Sequence, residues 1–100
     1  MKPRNFIRIS NITGQSFYFE LSEITKIYTE VAYIGEPIIF KSLGEEKPVY
    51  SGNIKVEFKD GSDMSIEVVR DLDRHRTNIA TSNYIEEVMN EPIIYDLWNE

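Results

Sequence analysis

The sequence predicts a mainly β, α+β domain: five or six antiparallel strands in a curled sheet, small barrel or sandwich, capped by one or two short C-terminal helices. Apolar and polar residues alternate along much of residues 5–70, as they do in half-buried strands. Glycine, proline, asparagine and aspartate interrupt these runs. Helical spacing replaces the alternation over about residues 83–99. The length of 100 residues fits a single domain over residues 1–100.

The first predicted element is a β-hairpin. Residues 6–12 alternate, with Ile7 and Ile9 on one face of the strand. A turn around Gly14 follows, and residues 17–21 then alternate again with two phenylalanines and a leucine on one face. Core packing accounts for those phenylalanines better than base stacking does, because the charge of the chain opposes contact with nucleic acid.

The middle of the chain predicts further strands. Residues 24–34 have β-branched residues and tyrosine on both faces, which favours a central strand or one covered on both sides. A short strand is expected at residues 38–41 and a loop over residues 42–52. Residues 54–68 hold the strongest hairpin signal, an Asp-Gly pair at 60–61 between two alternating runs. Lysine and glutamate share its polar face, so Lys–Glu pairs across this hairpin are expected.

The C-terminal quarter predicts two short helices. Asn83 followed by Glu86 is typical of an N-cap with its reciprocal acid, so a first helix is predicted over residues 83–90. Pro92 disfavours helix at the preceding residue and suits a first helical turn, so a second helix is predicted to begin there. The charged residues 71–76 are predicted to form one helical turn or a loop. The apolar side of the first helix would consist of Tyr84, Ile85, Val88 and Met89.

Composition excludes several classes of protein. The chain has no cysteine, which excludes disulfides and thiolate chemistry and favours a cytoplasmic location. Its net charge of −6 argues against direct binding to nucleic acid or to anionic lipid. The longest apolar runs are too short to span a membrane. The bias toward isoleucine, asparagine and acidic residues resembles that of small phage or mobile-element proteins, and this resemblance assigns no residue roles.

The sequence offers no arrangement typical of an enzyme. His75 is the single histidine, and no motif supplies it with both a nucleophile and an orienting acid. Residues 60–63 resemble part of a calcium loop, but the alternating ligands and closing glutamate are missing. Phosphate-binding glycine loops and zinc-binding helices are absent from the sequence. We therefore expect a protein without catalytic activity, metal or cofactor.

The most specialised stretch is residues 77–100, which contain neither lysine nor arginine. Acidic residues with tyrosine and tryptophan anchors indicate an interaction surface for a basic partner. We therefore predict a non-catalytic interaction module, an inhibitor or adaptor, whose protein partner has a basic surface of the kind that binds nucleic acid. The alternative is that Trp98 packs onto the sheet as core. The predicted partner-binding residues are Glu86, Glu87, Glu91, Tyr95, Asp96, Trp98 and Glu100.

A second hypothesis rests on a cationic cluster. Its residues pair with Asp71, Asp73 and the acidic C-terminus, or they hold a small anionic ligand such as a nucleotide in a sensor or sequestering oligomer. A third hypothesis is a homo-oligomer assembled through Trp98 and strand edges. The predicted anion-binding residues are Arg70, Arg74, His75 and Arg76.

Overall fold

A computed structural model describes residues 4–35, 48–91 and 93–95 of the chain. Within these ranges the strands form two antiparallel sheets, with strand orders β2-β1-β6 and β3-β4-β5. A 3₁₀ turn, Leu21–Glu23, connects the first sheet to the second. The elements are β1 (Arg4–Ser10), β2 (Ser16–Glu20), β3 (Ile24–Gly35), β4 (Val49–Phe58), β5 (Asp63–Asp71), the helix α1 (Arg74–Asn90) and β6 (Ile93–Tyr95).

The mainly β prediction is confirmed, and every strand pairing in the described residues is antiparallel. The prediction of one curled sheet or a closed barrel is wrong, because these strands divide into two separate sheets. Five strands carry most of the pairing, since β6 is only three residues long. The described part of the chain has one α-helix.

Both predicted hairpins form, and their loops share one backbone hydrogen bond and one glycine conformation. The first residue of each loop donates its N–H to the carbonyl four residues later: Asn11 to Gln15 and Phe58 to Ser62, both at 2.9 Å. The residue before the loop's end is a glycine with positive φ, 86° in the first loop and 89° in the second. Only glycine adopts that conformation without steric cost, and for this reason the Asp-Gly pair at 60–61 correctly predicts a hairpin turn.

The core lies between the β3-β4-β5 sheet and a second layer made of the small sheet and α1. Ile7 and Ile9 of β1 are fully buried against Ile54 and Val56 of β4. The Phe19 ring packs beside that of Phe58, with centroids 5.6 Å apart. The buried members of this core are Ile7, Ile9, Ile54, Val56, Ile66 and Val88.

Three predictions for the middle of the chain are wrong. β3 is an edge strand among the described residues, where it pairs with β4 alone, because the central position belongs to β4. β4 begins at Val49, inside the predicted loop 42–52. Lys55 lies opposite Ser65 in the hairpin and instead forms a 3.7 Å ion pair with Glu30 of β3. The strand predicted at 38–41 lies outside the described residues.

A C-terminal helix is confirmed and includes the predicted residues 83–90, but its start and the second predicted helix are wrong. A single helix begins at Arg74 rather than near residue 83, and its N-cap is Asp73, whose carboxylate accepts the Arg76 N–H at 3.0 Å. Asn83 is an exposed residue inside that helix. The helix predicted from Pro92 is replaced over residues 93–95 by β6, which pairs with β1. Sheet pairing therefore overrides local helical preference there.

Candidate functional site

Three of the predicted partner-binding residues lie together on α1. Glu86 and Glu87 are exposed near the end of the helix, and Glu91 is its exposed C-cap, with its N–H donating to the Glu87 carbonyl at 3.1 Å. We call these three residues the acidic surface. Of the other predicted members, Tyr95 lies in β6, and three lie outside the described residues: Asp96, Trp98 and Glu100.

Within α1 the charged residues are placed against the helix dipole, whereas its N-cap, Asp73, is an acid that suits the dipole. The first turn has no acidic residue and carries Arg74, His75 and Arg76, while the last turn has no basic residue. A helix favours anions at its N-terminus and cations at its C-terminus. The acidic surface therefore does not serve helix stability, and a charge pattern that breaks a local rule is typical of a functional surface.

The acidic surface borders a cavity of about 400 Å³ between α1 and β1. Glu87 and Glu91 are one helical turn apart, so both contribute to the same wall. Within the described ranges, neither carboxylate forms an ion pair. The residues that line the cavity are Arg8, Ser10, Tyr84, Glu87, Val88 and Glu91.

Tyr84 fixes the geometry of this cavity. Its hydroxyl accepts the Ser10 N–H at 2.8 Å and lies 3.4 Å from the Ser10 carbonyl, to which it donates. The side chain thereby joins the middle of α1 to the end of β1. The sequence predicted Tyr84 only as part of an apolar side, because its partner lies 74 positions earlier in the chain. No local pattern indicates such a contact.

Met89 places an apolar group next to the acidic surface. The sequence predicted Met89 on the buried side of the helix together with Val88, yet Met89 is 40% exposed while Val88 is 7% exposed. Met89 follows Glu86 by three positions, so the two side chains are neighbours on the helix. The surface therefore combines exposed carboxylates with an exposed, flexible apolar side chain.

The predicted cationic cluster divides into separate groups. Arg70 pairs with Glu67, with Nη2 2.6 Å from Oε1, and Arg76 pairs with Asp71, with Nη2 3.0 Å from Oδ1. The expected pairing of the cluster with Asp71 is therefore present. The other two members, Arg74 and His75, lie in α1's first turn and line a cavity of about 470 Å³ with Val31 and Asn78.

These ion pairs hold the acids in their charged forms. Burial raises the pKa of Glu67. The hydrogen bonds from Arg70 and Ser51 and the charge of Arg70 lower it, and together they outweigh burial, so the pKa lies below its usual value. The Asp73 N–H, 3.0 Å from Asp71 Oδ1, lowers the pKa of Asp71 most strongly. Partial burial opposes that effect, and the charge of Arg76 reinforces it.

Comparisons with protein-family models, with curated proteins and with solved structures gave no match. Among residues 4–35, 48–91 and 93–95, no three histidine, aspartate or glutamate side chains gather as a metal site would require. No helix in that part of the chain has the length and apolar character needed to cross a membrane.

Proposed function

We propose that this chain is a non-catalytic interaction module whose acidic surface binds a basic surface of a protein partner in the cytoplasm. One observation carries the proposal: three exposed carboxylates lie at the negative end of α1, where they oppose the helix dipole. An inhibitor or adaptor that covers a nucleic-acid-binding surface would need such a charge pattern, because that surface is rich in lysine and arginine.

The cavity beside the acidic surface gives the proposal a specific contact. Glu87 and Glu91 line one wall, and Tyr84 supplies a phenol on the same side. An arginine or lysine of the partner could enter here with its charge against both carboxylates, since charge-assisted hydrogen bonds to carboxylate are the strong ones. Met89, exposed nearby, would contact the partner's apolar atoms and favour close packing.

Electrostatics also predicts how this complex forms. The three carboxylates outnumber Arg8, the cation that lines the adjoining cavity, so they attract a basic surface over distance and raise the rate of association. We therefore expect binding to weaken strongly with added salt, mainly through slower association. Dissociation should depend on the contact in the cavity instead, because a partner side chain that fills the cavity would shield those charges from solvent ions.

The test compares two triple variants that each remove three negative charges. The first is Glu86→Gln, Glu87→Gln and Glu91→Gln; the control is Glu23→Gln, Glu57→Gln and Asp63→Asn, on the β3-β4-β5 side of the molecule. Partners would be captured from the source cell with the wild-type chain, identified by mass spectrometry, purified and titrated against each variant.

We expect the first variant to lose binding at least tenfold while the control binds like the wild type. The first variant should also be more stable, because it removes three charges that oppose the helix dipole. Lost binding together with a higher melting temperature cannot be explained by misfolding. Equal affinity of both variants for the captured partner would overturn the proposal.

The alternative function is binding of a small anion, such as a nucleotide, at Arg74 and His75. Its support is the cavity of about 470 Å³ that these residues line with Val31 and Asn78. Thermal-shift measurements with nucleoside triphosphates and with inorganic phosphate would test it. Stabilisation that disappears in Arg74→Gln but persists in Lys59→Gln would support this function. No shift at millimolar concentration would exclude it.

A further inference from the structure

β3 forms a long edge of its sheet in the part of the chain that the structure describes. It has twelve residues and pairs only with β4 among the described residues. None of its residues is buried, whereas β4 has five that are. Tyr33 and Ile34 near its end are 61% and 46% exposed. An edge of this kind offers a row of backbone groups to another strand.

The charges of β3 are placed symmetrically about Tyr28. Lys26 and Glu30 are its only charged residues, two positions before and two positions after that tyrosine. All three side chains lie on the face opposite α1, because side chains alternate along a strand. Lys26 Nζ lies 4.6 Å from the centroid of the Tyr28 ring, and Lys55 Nζ lies 3.7 Å from Glu30 Oε2.

We infer that β3 pairs antiparallel with β3 of a second copy of this chain, with Tyr28 at the two-fold axis. The β3-β4-β5 sheets of the two copies would then become one six-stranded sheet. In this register Lys26 of each copy lies directly opposite Glu30 of the other, so two ion pairs form across the new interface. A two-fold axis perpendicular to the sheet places both α1 helices on the same side.

The charges select this one register. A shift of two residues in either direction places Lys26 opposite an uncharged residue and leaves both ion pairs unmade. Edge strands are often protected from association by charged residues, commonly lysines. Like charges would repel a second copy here, but Lys26 and Glu30 have opposite signs and equal spacing from the centre. They therefore favour self-association in one register rather than preventing it.

The dimer does not depend on the acidic surface. Glu86, Glu87 and Glu91 lie at the C-terminal end of α1, where Glu87 and Glu91 line a cavity with β1, whereas β3 forms an edge of the large sheet. The triple glutamine variant should therefore dimerise like the wild type. Conversely, a monomeric variant should still bind a partner through the acidic surface.

Charge exchange tests the pairing by sedimentation equilibrium over a range of concentrations. Lys26→Glu alone and Glu30→Lys alone should each weaken dimerisation roughly tenfold or more, because each places like charges opposite one another twice. The double exchange Lys26→Glu with Glu30→Lys should restore it. Lys59→Glu, an exposed change in the β4–β5 loop, is the matched control and should have no effect. A monomer at millimolar concentration, or no restoration in the double exchange, would overturn the inference.

A cross-link tests the register independently. The chain has no cysteine, so Tyr28→Cys introduces a single thiol at the proposed axis. Opposite residues of paired strands are close enough for a disulfide, so this variant should form a covalent dimer rapidly under mild oxidation. Thr25→Cys is the control, because its two copies would lie about 20 Å apart in this register. Equal rates for the two variants would contradict the pairing.

Discussion

Gly52 of β4 lies directly against Thr81 of α1, and the helix can approach the sheet there only because Gly52 has no side chain. A Cβ atom on Gly52 would overlap the Thr81 hydroxyl and would lie 3.1 Å from Thr81 Cβ and 3.2 Å from Thr77 Cγ2. Both threonines are fully buried. Their hydroxyls donate to carbonyls of their own helix, at 2.8 Å for Thr77 and 2.6 Å for Thr81, so burial leaves no donor unsatisfied.

Gly52→Ala should therefore destabilise the fold. Alanine normally gains stability over glycine within a strand, but overpacking at a rigid contact costs about 1–3 kcal/mol and should prevail here. Urea unfolding followed by circular dichroism would measure the change. Ser65→Ala on the exposed face of β5 is the control and should change stability by less than about 0.5 kcal/mol.

The same contact predicts coupling between the two positions. Thr81→Ala removes the hydroxyl that the new methyl would strike, so the double variant should be less destabilised than the sum of the single variants, by about 1 kcal/mol or more. Strict additivity in the double-mutant cycle would show that Gly52 and Thr81 do not determine the helix–sheet distance.

The N-cap of α1 gives a second prediction. Asp73→Ala should cost about 0.5–2 kcal/mol, because the Arg76 N–H loses its acceptor. Asn83→Ala should be neutral or slightly stabilising, since Asn83 is an exposed interior position where alanine is the better helix former. Equilibrium unfolding of both variants would check this. The reverse order would mean that the helix begins near residue 83.

The Tyr84 hydroxyl gives a third prediction. Tyr84→Phe should destabilise the chain by about 1–2 kcal/mol, because the Ser10 N–H, which is bonded at 2.8 Å, loses its acceptor in a partly buried position. Tyr18→Phe removes a hydroxyl from a side chain that is 51% exposed and should have almost no effect. Thermal unfolding of the two variants side by side would measure the difference, and equal values would contradict the role given to Tyr84.

Glu67 predicts a dependence of stability on pH. Its pKa is lower in the folded chain than in the unfolded chain, so the unfolded state binds more protons as the pH falls. The stability that it supplies is complete above its unfolded pKa, near 4, and is lost as the pH falls through the lower folded value. Glu67→Gln should therefore unfold with a shallower pH dependence below about pH 4. Urea midpoints between about pH 2 and 7 would show it, and identical slopes would contradict it.

Local patterns predicted the two hairpins well and the helix poorly. A hairpin depends on alternation and on a turn glycine, both of which involve residues close in sequence. The sequence therefore predicts the β1–β2 and β4–β5 hairpins without knowledge of the tertiary structure. The first half of α1 buries threonines rather than large apolar residues, and its apolar signal is weak for that reason. The partner that requires small side chains there is Gly52, more than twenty positions away.

The acidic surface was also predicted only in part from the sequence. The sequence alone identified Glu86, Glu87 and Glu91 within a cation-free segment. It did not place Glu87 and Glu91 beside Arg8 and Ser10, because that arrangement depends on how α1 packs against β1.

By itself the sequence determined the strand content, the turns and the separation of acidic from basic residues, all of which follow from local geometry and composition. Only the tertiary structure decided that β3 lies at an edge, that α1 begins at Arg74 with Asp73 as its N-cap, and that residues 93–95 pair with β1 as a strand. Each of these depends on contacts between distant segments. Their free energy exceeds the small local preferences from which the sequence prediction was made.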